Sequence, residues 1–141
     1  MLQKLILGLA ALMLVAMLVF GFTENSSPPV FDAPPSMQEV IQEANSESKL
    51  ILIDFYAEWC GPCKQFTADS KKDSDMRETL KDVVMLKVDC ESDEGRSLAK
   101  KYKIKSYPTF VVMHTNGKIE SRWSGYAKAH FLNHLEDAIY E

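Results

Sequence analysis

The pattern of apolar and polar positions divides this chain of 141 residues into three stretches. After Met1-Leu2-Gln3-Lys4 come eighteen residues, Leu5 to Phe22, without a single charge. A helix of about that length crosses a bilayer with little tilt. Lys4 precedes the run and Glu24 follows it, so the short N-terminus is expected in the cytoplasm and everything after residue 22 outside. A cleaved signal peptide has the same ingredients, with Val19-Phe20-Gly21 as a poor cleavage site; the length of the run favours a retained anchor. Thr23 to Pro35 then holds four prolines, two serines and an asparagine in thirteen residues, a composition that extends rather than packs. Val30-Phe31 within it reads as a short first strand. The chain thus divides into an anchor or signal (1–22), a linker (23–35) and one globular domain (36–141).

From Ser36 onward the periods alternate. Ser36-Met37-Gln38-Glu39 has the form of a capping box, with Met37, Val40, Ile41 and Ala44 at helical spacing behind it. Leu50–Tyr56 is an apolar run of strand length. A helix is expected from Cys60 to about Ser70, a further helical turn or two over Asp75–Lys81, and a strand over Val83–Asp89. A short helix follows over Gly95–Tyr102, with Leu98, Ala99 and Tyr102 inward. Phe110–His114 and Ile119–Trp123 flank Asn116-Gly117, the signal for a two-residue hairpin turn. The last helix runs from about Lys128 to Tyr140 with Phe131, Leu132, Leu135 and Ile139 on one face. Strands alternating with helices and ending in a hairpin imply an α/β fold, a central mixed sheet flanked by helices on both faces. About 105 residues suffice for one such core, and no internal repeat is visible.

Charge removes several function classes. Sixteen Lys and Arg against twenty Asp and Glu give a net charge of −4, and no basic stripe is concentrated enough for nucleic acid. Lys71-Lys72 and Lys100-Lys101 read as solvated faces. No phosphate-cradling glycine loop or dinucleotide fingerprint is present, so no cofactor is expected: electrons should arrive through thiols rather than from a nicotinamide or flavin.

The chemistry concentrates at Trp59-Cys60-Gly61-Pro62-Cys63. A helix starting at Cys60 presents unpaired N–H groups and the positive end of its dipole to that sulfur, which favours thiolate over thiol. A free cysteine titrates near ~8.5, and a Cys-X-X-Cys at a helix start can fall to roughly 3.5–7.5. Pro62 suits the first turn because its missing N–H is not needed there, and Gly61 adds little bulk. Cys60 is therefore expected to stay accessible to a partner disulfide, with Cys63 one turn deeper to resolve the mixed disulfide. A structural bridge closing so short a loop would constrain the unfolded chain little. A zinc set of these cysteines with His130 and His134 is a poor alternative, since 66 residues separate Cys63 from His130; the histidines read as solvent-facing. Cys90 makes the cysteine count odd. It reads as a small, half-buried residue at a strand end, with an intermolecular bond as the alternative in an oxidising compartment.

Asp54 is the one acid inside the Leu50–Tyr56 run. Burial disfavours its charged form, so either a lysine or an edge position compensates it, or its pKa is raised and it exchanges protons with Cys63. Lys87, in Val83-Val84-Met85-Leu86-Lys87-Val88, is the neighbour that would tune it.

Tyr56-Ala57-Glu58-Trp59-Cys60-Gly61-Pro62-Cys63-Lys64 resembles the active-site segment of the thioredoxin family. The resemblance covers residues 37–141 and implies a thioredoxin-like fold and protein thiol–disulfide oxidoreductase activity. It makes Asp54 the family's buried acid, Lys87 its partner, Tyr107-Pro108-Thr109 its cis-proline segment and Gly125 the glycine of its last strand. It further implies that Trp59, Gly61, Pro62, Tyr107, Pro108 and Gly125 contact substrate, while Cys60 and Cys63 form the redox-active disulfide. An X-Pro bond disfavours cis by only ~0.5–1 kcal/mol, so a tight approach of Tyr107 is feasible there; a trans proline opening a strand is the alternative. Tyr107 stands where the family usually has an aliphatic residue, and Asp69 to Asp82 is longer and more charged than the matching helix end. That segment, with Lys64-Gln65-Phe66, is also similar to the C-terminal thioredoxin-like domain of the bacterial transmembrane thiol electron carrier. The expectation is an extracytoplasmic, membrane-tethered oxidoreductase on the periplasmic side. It would act on protein disulfides as a reductant and draw on a membrane thiol donor. An adaptor or chaperone that binds clients without needing its cysteines is the alternative.

Overall fold

Ser36 opens the first helix with both halves of its capping box. Its hydroxyl accepts from the Glu39 N–H at 3.3 Å, and the Glu39 carboxylate accepts from the Ser36 N–H at 2.7 Å. The computed structural model describes residues 36–140; the expected anchor, the linker and the Val30-Phe31 strand lie outside them. Among the described residues no helix is long and apolar enough to cross a membrane. The elements are α1 (Met37–Glu47), β1 (Leu50–Tyr56), α2 (Gly61–Lys72), α3 (Ser74–Leu80), β2 (Val83–Asp89), α4 (Asp93–Lys101), β3 (Thr109–Met113), β4 (Ile119–Ser124) and α5 (Lys128–Tyr140).

The four strands form one mixed sheet in the order β2-β1-β3-β4. β1 runs parallel to β2 and antiparallel to β3, and β3 runs antiparallel to β4. The side-chain period of two sorts the sheet into two cores. Ile51, Ile53 and Phe55 pack with Val84, Leu86, Val88 and Val111 under α1 and α4. Leu52, Phe110 and Val112 face the other way, onto Phe66 of α2, Met76 of α3, and Phe131 and Leu135 of α5. Asp54 belongs by parity to this second face, in register between Lys87 and Phe110. A single strand thus carries an acid toward the helix that bears the cysteines.

Several element boundaries differ from the sequence reading: α3 spans Ser74–Leu80 rather than Asp75–Lys81, β3 spans Thr109–Met113 rather than Phe110–His114, and β4 runs to Ser124 rather than Trp123. α4 starts at Asp93 rather than Gly95, because Ser92 caps it by accepting from the Gly95 N–H at 3.0 Å. α2 runs on to Lys72 and stops at Asp73, whose carboxylate caps α3 through the N–H groups of Asp75 and Met76 at 3.1 and 3.2 Å. The β3–β4 connection is a three-residue loop, not the expected two-residue turn. The Gly117 N–H donates to the His114 carbonyl at 2.9 Å, the His114 N–H donates to the Lys118 carbonyl at 2.8 Å, and within the loop Gly117 alone takes positive φ, at 89°. A two-residue turn over Asn116-Gly117 needs its first central residue left-handed, in type I′ and type II′ alike, and Asn116 is not.

Candidate active site

β1 ends at Tyr56, and four residues later Cys60 occupies the N-cap of α2, extended at φ −75° and ψ 112°. Its sulfur accepts from the Cys63 N–H at 3.2 Å, so the helix start satisfies one of its own unpaired donors on sulfur. Pro62 lies in the first turn, where no N–H is missed. The two cysteines are joined as a disulfide with their Cα atoms 5.3 Å apart. In this state the expected accessibility of Cys60 is not observed: both cysteines are 3% exposed, because Ala57, Tyr56 and Tyr107 pack around the bridge. The approach over Gly61 is open, with no atom within 4 Å of where a Cβ would stand.

Trp59 is 68% exposed. Its ring meets Tyr107 edge-on with centroids 5.9 Å apart, and its indole N–H donates to the Glu91 carboxylate at 3.0 Å. Tyr107–Pro108 is cis. Behind it, Gly125 at φ 83° donates its N–H to the Pro108 carbonyl at 2.8 Å, so this glycine supports the proline from the end of β4.

Asp54 is fully buried, and neither carboxylate oxygen has a hydrogen bond. Burial pushes its pKa up from 3.8 to about 6, and the Lys87 charge partly opposes this. The Lys87 ammonium lies 3.8 Å from Asp54 Oδ2, donates to the Thr67 hydroxyl at 2.9 Å, and sits 4.7 Å from the Tyr56 ring centre. A cleft of about 220 Å³ is bordered by Cys63, Thr67, Lys87, Tyr56, Ala57 and Glu58. Cys63 and the Asp54 counter-charge therefore share one small space.

Cys90 is buried rather than half-buried, at 4% exposure. Desolvation pushes its thiol up to about 11, with Tyr107 partly offsetting. His130 and His134 share α5, with their Nε2 atoms facing each other at 3.0 Å. His134 is also less solvent-facing than expected, since it stacks on Trp123 with ring centres 5.0 Å apart.

Two residues of this site, and a glycine at the start of α4, escape a reading of the sequence. Thr67 and Glu91 are polar surface types whose partners are 20 and 32 residues away. Gly95 is required by close approach, since a Cβ there would stand 1.7 Å from the Asp89 carbonyl oxygen. Thr67 stands four residues after Cys63 and shares its helix face, the one local signal available.

A disulfide capping a helix start, beside a cis-proline and above a buried acid, defines a protein thiol–disulfide oxidoreductase. The thioredoxin family model matches residues 33–137. Thioredoxin-1 of Drosophila melanogaster is 41% identical over 76 residues, covering 54% of this chain and 67% of that protein. Thioredoxin H3 of Arabidopsis thaliana is 39% identical over 98 residues, covering 70% and 78%. The fold also matches the solution structure of a thioredoxin from Thermus thermophilus at a TM-score of 0.64 and 24% identity, over 73% of this chain and 83% of that one. The chain belongs to the thioredoxin family.

Proposed function

We propose that this protein reduces protein disulfides on the extracytoplasmic side of a membrane, held there by residues 5–22 and recharged by a membrane dithiol donor. The observation that carries the chemistry is the Cys60–Cys63 disulfide at the N-cap of α2. In the reduced protein, the Cys60 thiolate attacks one sulfur of a substrate disulfide. One substrate sulfur leaves as thiolate, and a mixed disulfide with Cys60 forms. Cys63 then loses its proton to the Asp54 carboxylate and attacks Cys60, which closes the Cys60–Cys63 bond and releases the second substrate thiolate. Two electrons pass to the substrate, and a donor dithiol restores them by the same steps in reverse.

A carboxyl that titrates near 6 suits this proton exchange, because both of its forms are populated close to neutral pH. Lys87 keeps the ionised form accessible. Trp59, Gly61, Pro62, Tyr107 and Pro108 surround the bridge and form the docking rim, with Gly125 holding the proline in place. The outward location rests on the charge-free run and the lysine before it. Reduction as the direction rests on the Gly-Pro pair and Asp54.

The test is equilibration of the full chain, in detergent micelles, with glutathione buffers. A Cys60–Cys63 potential more negative than roughly −200 mV supports a reductant, and one near about −120 mV reverses the direction. Loss of insulin reduction in Cys60→Ser, with a trapped mixed disulfide in Cys63→Ser, supports the assigned roles; full function without either sulfur would leave the adaptor reading instead. Labelling of Cys60 in intact cells by a membrane-impermeant thiol reagent, absent when residues 5–22 are deleted, tests the location.

A further inference from the structure

The Lys87 ammonium stands 3.8 Å from the buried Asp54 carboxylate, beyond hydrogen-bond reach, and its hydrogen bond among the described residues goes to the Thr67 hydroxyl at 2.9 Å. Thr67 projects from α2 one turn after Cys63, and both border the cleft that Lys87 enters from β2. We infer that Thr67 is a positioning residue for the proton-handling pair: its hydroxyl holds the Lys87 ammonium at the edge of Asp54, so that the carboxyl ionises against a cation already in place. This deepens the proposed function and rests on its assignment of Asp54 to proton exchange.

The thermodynamic argument is one of preorganisation. A lysine side chain has much rotamer freedom to lose, and that of Lys87 is one-third exposed, so solvent competes for its charge. The Thr67 hydroxyl offers the same acceptor whether Asp54 is protonated or ionised. It therefore removes the ordering cost from the ionisation step. Without it, each ionisation of Asp54 must recruit the ammonium from water, and the carboxyl becomes a weaker acid. The other groups around Asp54 do not substitute for Thr67. Its register neighbour on β3 is Phe110, which is apolar. The Tyr56 ring on β1 faces the ammonium at 4.7 Å but offers no hydrogen-bond acceptor to fix its direction, Cys90 beyond β2 feels the carboxylate as a charge that raises its own pKa, and Cys63 on α2 is held in the disulfide.

The experiment is a carboxyl-carbon NMR titration of Asp54 in the oxidised full chain in micelles. It compares the native protein with Thr67→Val, Thr67→Ser, Lys87→Met and the Thr67→Val/Lys87→Met double variant. Thr67→Val should raise the Asp54 midpoint by roughly half a pH unit, a part of the cost of ordering a freed lysine side chain. Thr67→Ser should restore the native midpoint. In the Lys87→Met background Thr67→Val should add no further shift, since its effect passes through the ammonium. An unchanged midpoint in Thr67→Val overturns the inference, as does an equal shift with and without Lys87. Thr67→Ala replaces the valine variant if that one does not fold. The pH profile of insulin reduction should move in the same direction as the midpoint. If the native chain reduces no disulfide at all, the functional reading fails, while the titration still decides what Thr67 does.

Discussion

Replacing Asp54 by asparagine should stabilise the protein at neutral pH and leave it unchanged in acid. The folded carboxyl titrates at about 6 against an ordinary 3.8, with burial as the main cause and Lys87 in opposition. Between those two values the unfolded chain has given up its proton while the folded chain keeps it. The folded state therefore binds more protons, and stability falls as pH rises through this window. It is complete below the unfolded value and has fallen fully once the pH passes about 6. At about 1.4 kcal/mol per unit, the shift amounts to on the order of 3 kcal/mol. Asparagine mimics the neutral carboxyl and has no proton to lose, so Asp54→Asn should gain about that much over the native chain at pH ~7, and almost nothing at pH ~3.5. All other titrating groups are common to both proteins and cancel in the difference. The assay is guanidinium unfolding of the disulfide forms, followed by tryptophan fluorescence at several pH values. Stability curves that run parallel from pH ~3.5 to ~7 would refute a buried, destabilised carboxylate.

Four further outcomes are expected. Gly95→Ala should lower stability by about 1–3 kcal/mol, because the added methyl meets the Asp89 carbonyl at 1.7 Å and the backbone must shift; urea midpoints measure it. Phe66→Ala should cost about 3–5 kcal/mol, since this fully buried ring contacts Phe110, Phe131 and Tyr126 with centres 4.8, 4.9 and 5.4 Å away. A loss under about 1 kcal/mol would show that α2 is anchored elsewhere. With its thiol held up at about 11 and its side chain buried, Cys90 should resist iodoacetamide at pH ~8 in the folded oxidised protein and react at once after unfolding, as read by mass spectrometry. Tyr126→Phe should cost about 1 kcal/mol by removing the hydroxyl that donates to Asp69 at 2.7 Å and ties the β4–α5 turn to α2.

Much of the fold is legible in the chain because its signals are short-range. The Ser36 capping box, the apolar period of α5 and the run that becomes β1 each depend on residues within about one turn or one strand of each other. The boundaries slipped where a cap competed with a period. Ser92 draws α4 back to Asp93, and Asp73 both closes α2 and opens α3. Asn116-Gly117 marked the hairpin but not its length, since a dipeptide does not specify which of its residues turns left-handed.

At the site the division is sharper. Spacing, proline chemistry and the peptide dipole are all local, so the order of residues alone places two thiols at the first turn of a helix after a buried strand. It also marked Asp54 as an acid in need of an explanation. Only the tertiary structure decided how that acid is treated: sheet register sets Lys87 beside it, helix packing brings Thr67 to the ammonium, and neither oxygen gains a hydrogen bond. Contacts of this kind join residues 20 or more positions apart, and no local pattern encodes them. They exist because one face of the sheet must be covered by α2, and covering it fixes which side chains meet.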